Sequence, residues 1–249
     1  MRWLCFLLGS VAAAQATPVL PAKPLRFDLT GITATRDSFV YRVRGDERGY
    51  AVWQYEIRSL EMGQQVVFTA ATELRPAEAE HVRVVLDRLT GAPIASFQRI
   101  ELLSPGSDTV MMEHDLDVKR GGVAGRRRVG TREGEVKIVR ISRPLPAGAV
   151  WSSYGLYAAH VTNAAPGDSL ATRSYNEFGD SLETLTLVAE RPDTIQVPAG
   201  RFEVLPIRTG GLRLWVTRAA PRRVVKGEAF GGVLTFELAG TGPVVPSKP

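Results

Sequence analysis

The sequence predicts a mainly β protein: a large curved antiparallel sheet, built as a meander half-barrel or barrel, with one short helix packed on its concave side. Three observations predict this class. Short runs in which apolar and polar residues alternate recur along most of the chain. Turns that contain glycine or proline separate these runs at hairpin spacing. One segment alone has helical periodicity.

Residues 1–16 have the pattern of a cleaved signal peptide. Arg2 supplies a positive charge, an apolar stretch follows, and Ala14-Gln15-Ala16 is a small-x-small cleavage signal. The alternative, an uncleaved anchor, is disfavoured because the apolar stretch is too short for a bilayer of ~30 Å. We therefore expect a periplasmic or otherwise extracytoplasmic protein with no integral membrane span in the mature chain. Cleavage also removes Cys5, the only cysteine.

The remaining chain divides by composition into three parts. Residues 17–24 are proline-rich and predict a flexible lead-in. Residues 25–239 predict a single β-rich domain. Residues 240–249 contain three prolines and no core face, which predicts a disordered tail.

The N-terminal strands follow from period-2 alternation. Trp53 and Tyr55 share the apolar face of residues 50–59, and Phe68 lies on the apolar face of residues 65–74. Further strands are predicted at residues 27–29, 38–43, 82–86, 94–103, 109–118, 126–130 and 135–141.

The C-terminal strands are marked mainly by their turns. Residues 170–178 and 182–190 predict a hairpin about Gly179-Asp180. Short strands then follow between glycine and proline turns at residues 194–197, 202–208, 212–217, 224–228 and 233–238. Strands at this spacing indicate one sheet that curls into a barrel or half-barrel, and the sequence leaves open whether the barrel closes.

The predicted helix covers residues 150–161. Val150, Trp151 and Tyr154 begin an apolar stripe at helical spacing, although Gly155 weakens the helix. The stripe has to be buried, so we expect it on the concave side of the sheet.

The titratable side chains give no enzyme signature. His81, His114 and His160 have no metal-site spacing and are interpreted as surface or rim histidines, with His160 the one placed to line a cavity. No phosphate-binding glycine motif or nucleophile elbow is present. We therefore predict no catalytic residue, no metal and no cofactor.

Glu113, Asp115 and Asp117 alternate along one predicted strand and share a face. Such a row has the ligand type for a hard cation. No calcium-loop pattern accompanies it, so the solvated side of a strand is the favoured interpretation, with His114 on the opposite face.

Two sets of residues are candidates for ligand contact. An apolar pocket inside the barrel is predicted from aromatic and helix residues, namely Trp53, Tyr55, Phe68, Trp151, Tyr154, Tyr157 and His160. An anionic surface is the predicted partner of two basic clusters, namely Arg126, Arg127, Arg128, Arg222 and Arg223. Solubility and edge-strand protection are the alternative role of the basic clusters.

The C-terminal part carries motifs of a known family. They are residues 197–202 (Val-Pro-Ala-Gly-Arg-Phe), 214–217 (Leu-Trp-Val-Thr) and 221–226 (Pro-Arg-Arg-Val-Val-Lys). With them the chain resembles the bacterial exported domain-of-unknown-function family 3108. The resemblance implies an export signal and a curved sheet similar to the half-barrel of periplasmic lipoprotein carriers, and it implies no catalytic site.

These observations predict a non-enzymatic exported envelope protein that binds or carries an apolar ligand, such as a lipid or a lipidated chain. The alternative is a structural or interaction protein of the cell envelope that binds a protein partner. A hydrolase is less favoured, because no spacing indicates an acid and base pair. The net charge of +5 is interspersed with acidic residues, so nucleic-acid binding is not expected.

Overall fold

The computed structural model describes residues 22–61, 63–75, 78–102, 109–119, 121–131, 134–152, 155–161 and 163–244, with side chains for all of these except 155–157. The predicted signal peptide and Tyr154 therefore lie outside the described residues.

Within these ranges the chain forms a single 17-stranded sheet. The strands are β1 Lys23–Pro24, β2 Thr35–Val43, β3 Asp46–Leu60, β4 Gly63–Leu74, β5 Glu78–Asp87, β6 Pro93–Leu102, β7 Val110–Lys119, β8 Gly122–Thr131, β9 Val136–Pro144, β10 Val150–Trp151, β11 Ser169–Asn176, β12 Ser181–Ala189, β13 Asp193–Val197, β14 Gly200–Thr209, β15 Leu212–Thr217, β16 Val224–Ala229 and β17 Leu234–Gly242. The mainly β, meandering class predicted from the alternation is confirmed.

Two meanders meet in the middle of the sheet. One runs from β10 to β17 and the other from β2 to β9, and the antiparallel pairing of β17 with β2 joins them. The short strands β1 and β10 both pair in parallel with β11, which makes the sheet mixed. No ladder joins β9 to β10 among the described residues, so the sheet is curved but not closed.

The apolar face of each strand forms one continuous core. Trp53 lies near its centre, with ring centroids 4.3 Å from Phe39, 5.4 Å from Phe236 and 6.0 Å from Phe68. Rings at these distances and tilted angles are in direct packing contact. Aromatic side chains therefore fill the interior where β17, β2, β3 and β4 lie side by side.

The predicted helix is wrong in type. Val150 and Trp151 form strand β10, paired with Ser174 and Tyr175, and a 3₁₀ helix at Gly155–His160 follows. A β-branched residue beside an aromatic one favours a strand, and Gly155 interrupts the helical run. The prediction of its burial holds, because Trp151, Ala158 and Val161 belong to the same core as the sheet.

Both ends of the described chain are drawn into the sheet. Lys23 and Pro24, from the predicted lead-in, pair with Leu170 and Ala171, and the Lys23 ammonium lies 2.5 Å from Asp168. At the other end β17 continues to Gly242, into the segment predicted as a tail. Residues 245–249 of that tail lie outside the described residues.

Candidate functional site

A small cleft opens beside the 3₁₀ helix, where the starts of β2 and β16 come together. We call it the Arg222 cleft. Its lining residues are Ile32, Thr33, Thr35, Asp37, Tyr55, His160, Pro221, Arg222 and Arg223. The cavity volume is about 20 Å³, which is room for about one water-sized group.

Register and a tight loop position these side chains. Thr35 and Asp37 lie opposite Tyr55 and Trp53 in the β2–β3 ladder, which turns Thr35, Asp37 and Tyr55 toward the same face. The loop between β15 and β16 is closed by two hydrogen bonds: Thr217 N–H donates to the Arg223 carbonyl at 2.9 Å, and Arg223 N–H donates to the Thr217 hydroxyl at 3.0 Å. These hydrogen bonds fix the loop so that Arg222 and Arg223 both line the cleft.

Asp37 and Arg223 neutralise each other at the base of the cleft. The Asp37 carboxylate, 3% exposed, accepts hydrogen bonds from the Arg223 guanidinium at 3.1 Å and the Thr241 hydroxyl at 2.7 Å. Burial raises the pKa of Asp37, and the Thr241 hydrogen bond and the Arg223 charge oppose that rise. The pair therefore contributes no net charge to the cleft.

Arg222 is the uncompensated charge of the cleft. Its guanidinium donates to the Val161 carbonyl at the end of the 3₁₀ helix, and no carboxylate within the described ranges lies at ion-pair distance from it. Burial and the nearby charge of Arg218 both lower its pKa. An arginine stays protonated at neutral pH in spite of such a shift, so the cleft carries a net positive charge.

His160 contributes a neutral imidazole. It is buried, and its ring lies 5.6 Å from the Tyr55 ring in an edge-to-face arrangement. Burial, with a smaller contribution from Arg222, lowers the pKa of His160 to about 4. At neutral pH it therefore adds a polar edge to the cleft and no charge.

The Arg222 cleft joins members of both predicted sets. Tyr55 and His160 were candidates for an apolar pocket, and Arg222 and Arg223 were candidates for an anionic surface. Trp53, Phe68 and Trp151 lie instead in the packed core, with the Trp151 ring 6.0 Å from Tyr175. For Tyr157 the structure describes only the backbone, within the 3₁₀ helix.

The three consecutive arginines of β8 separate onto two faces. Arg126 and Arg128 lie outside, 3.6 Å from Asp115 and 3.5 Å from Glu113. Arg127 points inward and donates to the Phe178 carbonyl. Its prediction as a surface residue is wrong, because successive strand residues face opposite sides of the sheet.

A second group of polar side chains, which we call the seam cluster, is buried on the inward side of the sheet. Both carboxyl oxygens of Glu177 accept hydrogen bonds, from Ser96 at 3.3 Å and from Ser152 at 3.0 Å. The Ser96 hydroxyl also lies 2.9 Å from Nε2 of His114. The tautomer of His114 decides whether Nε2 donates to the Ser96 hydroxyl or accepts from it.

The order of the three groups in the seam cluster differs from that of a catalytic relay. A nucleophilic relay places the histidine between the serine and the carboxylate, whereas here the serine lies between the other two and is 1% exposed. Burial, followed by the charge of Arg127, lowers the pKa of His114 to about 3. The interpretation of His114 and His160 as surface or rim histidines is wrong, whereas His81 is exposed. His114 shares the inward face of β7 with Leu116, and that alternation was the available signal.

The turn between β11 and β12, which contains Glu177 of the seam cluster, also contacts the strands at the open side of the sheet. Asp180 accepts a hydrogen bond from the Arg143 guanidinium of β9 at 3.0 Å and from the Tyr175 hydroxyl at 2.7 Å. Residues 176–180 thus accept hydrogen bonds from side chains of β6, β8 and β9 where backbone pairing is missing.

No three His, Cys, Asp or Glu side chains of the described residues come together as a metal site. Glu113, Asp115 and Asp117 each lie within 3.6 Å of a basic side chain, namely those of Arg128, Arg126 and Lys119. In the described part of the chain, no helix has the length and apolar character needed to cross a membrane.

The fold and the cleft together define a class: an open, mainly antiparallel sheet with a small cationic cleft beside it. No family model matches the chain, and no curated protein matches it. Among solved structures, a beta-barrel-like protein of Domain of Unknown Function DUF1849 from Brucella abortus is similar at 10% identity and a TM-score of 0.47, covering 89% of this chain and 100% of that one. The resemblance to family 3108 stays a prediction.

Proposed function

We propose that this chain is a non-enzymatic, exported envelope protein that binds the anionic group of a ligand in the Arg222 cleft. The observation that carries the proposal is the half-buried guanidinium of Arg222, which has no carboxylate partner among the described residues. A cation held partly out of water attracts an anion more strongly than the same cation in bulk solvent. A phosphate or carboxylate group is the matching ligand chemistry, since arginine bonds both with a planar pair of donors.

The other lining groups support the same ligand chemistry. The Thr33 hydroxyl is a neutral donor, and Tyr55 and Ile32 add apolar surface. The Asp37 carboxylate is the acidic group of the lining, and its hydrogen bonds to Arg223 and Thr241 keep it from repelling an anion or acting as a free base. This supports binding in preference to catalysis.

The packing of the core argues for a ligand held at the cleft, not in the interior. Trp53, Phe39 and Phe236 occupy the space that an internal lipid chain would need near the centre of the sheet. A cavity of about 20 Å³ accepts the tip of an anionic group. The body of the ligand, whether a lipid or a soluble molecule, then stays outside. The export and envelope location rest on the signal-peptide pattern of residues 1–16.

Calorimetric titration of the purified protein with inorganic phosphate and with acetate, at pH 7 and low salt, tests the proposal. Saturable binding is expected for at least one anion. Arg222→Gln is expected to weaken it about tenfold or more, because a charge-assisted hydrogen bond contributes ~1.5–3 kcal/mol. The matched control is Arg201→Gln, at an exposed position on β14, and it is expected to bind like the unaltered protein.

Two results would contradict the proposal: no heat of binding with either anion, or equal weakening by Arg222→Gln and Arg201→Gln. Sedimentation with vesicles of phosphatidylglycerol, compared with vesicles of phosphatidylcholine, separates the two sources of the anion. A lipid headgroup predicts Arg222-dependent binding to the anionic vesicles. A soluble ligand predicts binding of phosphate or acetate with no vesicle binding.

A further inference from the structure

We propose that the free edge of β9 binds an acidic, extended segment of another protein, which adds to the sheet as a further strand. This surface is separate from the Arg222 cleft, and the inference does not depend on the function proposed for that cleft. If the protein acts as an interaction protein, which is the alternative function, the β9 edge is the contact surface and an acidic segment is the partner.

The register of the β8–β9 ladder identifies which backbone groups face outward. Leu145 N–H donates to the Gly121 carbonyl at 3.0 Å, so these two residues form a hydrogen-bonded pair just beyond the strand ends. Such pairs alternate along an antiparallel ladder. Residues 137, 139, 141 and 143 therefore bond to β8, whereas the N–H and C=O groups of Ile138, Arg140 and Ser142 point away from it.

The outward-facing groups are left open by the fold. β9 pairs with β8 alone, and no described residue forms a backbone hydrogen bond to Ile138, Arg140 or Ser142 from the other side. The next strand, β10, pairs with β11 instead. The open edge ends at Pro144, which has no N–H to offer. It spans residues 136–142, about 7 residues or ~23 Å, which is enough for strand addition.

Charge identifies the occupant. β9 carries Lys137, Arg140 and Arg143 and no acidic residue. Arg140 lies directly opposite Arg126 on the outer face, and Arg126 is already paired with Asp115 at 3.6 Å. An acidic strand on the open side would place a carboxylate next to Arg140, and opposite charges on neighbouring strands stabilise a sheet.

The same charges exclude a second copy of this chain as the occupant. Pairing β9 with β9 would bring basic side chains together, which is how edge strands avoid self-association. An acidic segment is attracted by the same residues. Ile138 is 57% exposed on this edge and gives such a segment an apolar contact beside its charges.

Fluorescence anisotropy with two labelled eight-residue peptides tests the inference. One alternates glutamate with valine and the other alternates lysine with valine. We expect the acidic peptide to bind, with affinity falling as salt rises, and the basic peptide not to bind. Arg140→Glu is expected to weaken binding at least tenfold. Arg201→Glu is the control for the change of charge.

Strand addition is separated from simple charge attraction by the backbone. Ser142→Pro removes an outward N–H that β8 does not use, so it is expected to weaken peptide binding at least tenfold, and Ser142→Ala is expected to have no effect. The amides of Ile138, Arg140 and Ser142 should become protected from hydrogen exchange when the acidic peptide binds. Binding that survives Ser142→Pro without new protection, absence of binding, or dimers formed through β9 would each overturn the inference.

Discussion

Gly227 has no side chain, and this leaves room in the core for the Phe236 ring. Gly227 lies opposite Phe236 in the β16–β17 ladder, and a Cβ built on it would lie 2.1 Å from the Phe236 ring. The ring occupies the space of the absent side chain and from there contacts Phe39 and Trp53. The backbone of Gly227 is not in the left-handed region, so backbone conformation does not require glycine there. The close approach of the Phe236 ring does.

Replacing this glycine tests the packing. Gly227→Ala is expected to destabilise the protein by about 1–3 kcal/mol, because the Phe236 ring has to move within a filled core. Gly211→Ala is the control, since nothing lies within 4 Å of a Cβ at Gly211. Urea unfolding of the two variants measures the difference. Equal midpoints would show that the core accommodates the extra methyl group.

For single residues, the sequence predicts which face of a strand a side chain occupies better than it predicts the partners of that side chain. Alternation correctly turned Trp53, Tyr55 and Phe68 inward, and all three are buried. Alternation along β8 also turns Arg127 inward, whereas a run of three arginines, taken by composition alone, suggests a surface cluster. Glu177 could not be found from sequence, because its two partners, Ser96 and Ser152, are brought to it only by tertiary packing.

Among the elements, the turn at residues 176–180 has the largest structural effect for its length. It inserts Glu177 between Ser96 of β6 and Ser152 beyond β10, and it presents Asp180 to Arg143 of β9. These contacts cross the side of the sheet that has no ladder. The turn thus replaces backbone hydrogen bonds with side-chain hydrogen bonds.

Removing the central carboxyl group tests this role. Glu177→Ala removes the acceptor of the buried Ser96 hydroxyl and of the partly buried Ser152 hydroxyl, so we expect a loss of about 1–3 kcal/mol of stability. Glu203→Ala, at an exposed position on β14, is the control. Hydrogen exchange should report faster opening at residues 174–176 and 150–152 than elsewhere. Uniform exchange across the sheet would instead indicate that Glu177 has no special role at the open side.

Element types were predictable except where packing overrode local preference. Most strands follow from alternation and turns, as for β3 and β4. The segment from Val150 to His160 is compatible with both helical and strand periodicity. Pairing with β11 makes its first two residues a strand. The Arg222 cleft joins residues from β2, β3, the 3₁₀ helix and the β15–β16 loop, so no local pattern contains it.

For the whole molecule, the buried carboxyl group of Glu78, next to the partly buried one of Glu80, is expected to make stability depend on pH. Glu78 and Glu80 share the inward face of β5, and Gln98 donates to Glu80 at 2.5 Å. Burial, followed by the charge of Glu80, raises the pKa of Glu78 to about 8, and burial also raises the pKa of Glu80. Between pH 4.5 and about 8 the folded state then holds a proton that the unfolded state releases, so stability falls as pH rises through this window.

The corresponding variant is Glu78→Gln. It is expected to remove the Glu78 part of the decline and to be more stable than the unaltered protein at pH 8, by on the order of a few kcal/mol. Below pH 4.5 the two proteins should be similar, since Glu78 is protonated in both folded and unfolded states. Thermal unfolding from pH 4 to pH 9 measures this, with Glu203→Gln as the exposed control. A constant difference between the two proteins at every pH would contradict the assignment to Glu78.

The pairing of β17 with β2 has a consequence for the order in which the chain acquires structure. Ser38 and Gly240, 202 residues apart, are hydrogen-bonded across this junction. Each meander consists of contacts between sequence neighbours and forms early, whereas joining them requires closure of nearly the whole chain. The central ladder therefore cannot form until the last strand has been synthesised. If residues 1–16 direct export, as their pattern predicts, this delay keeps the two halves unjoined until translocation is almost complete.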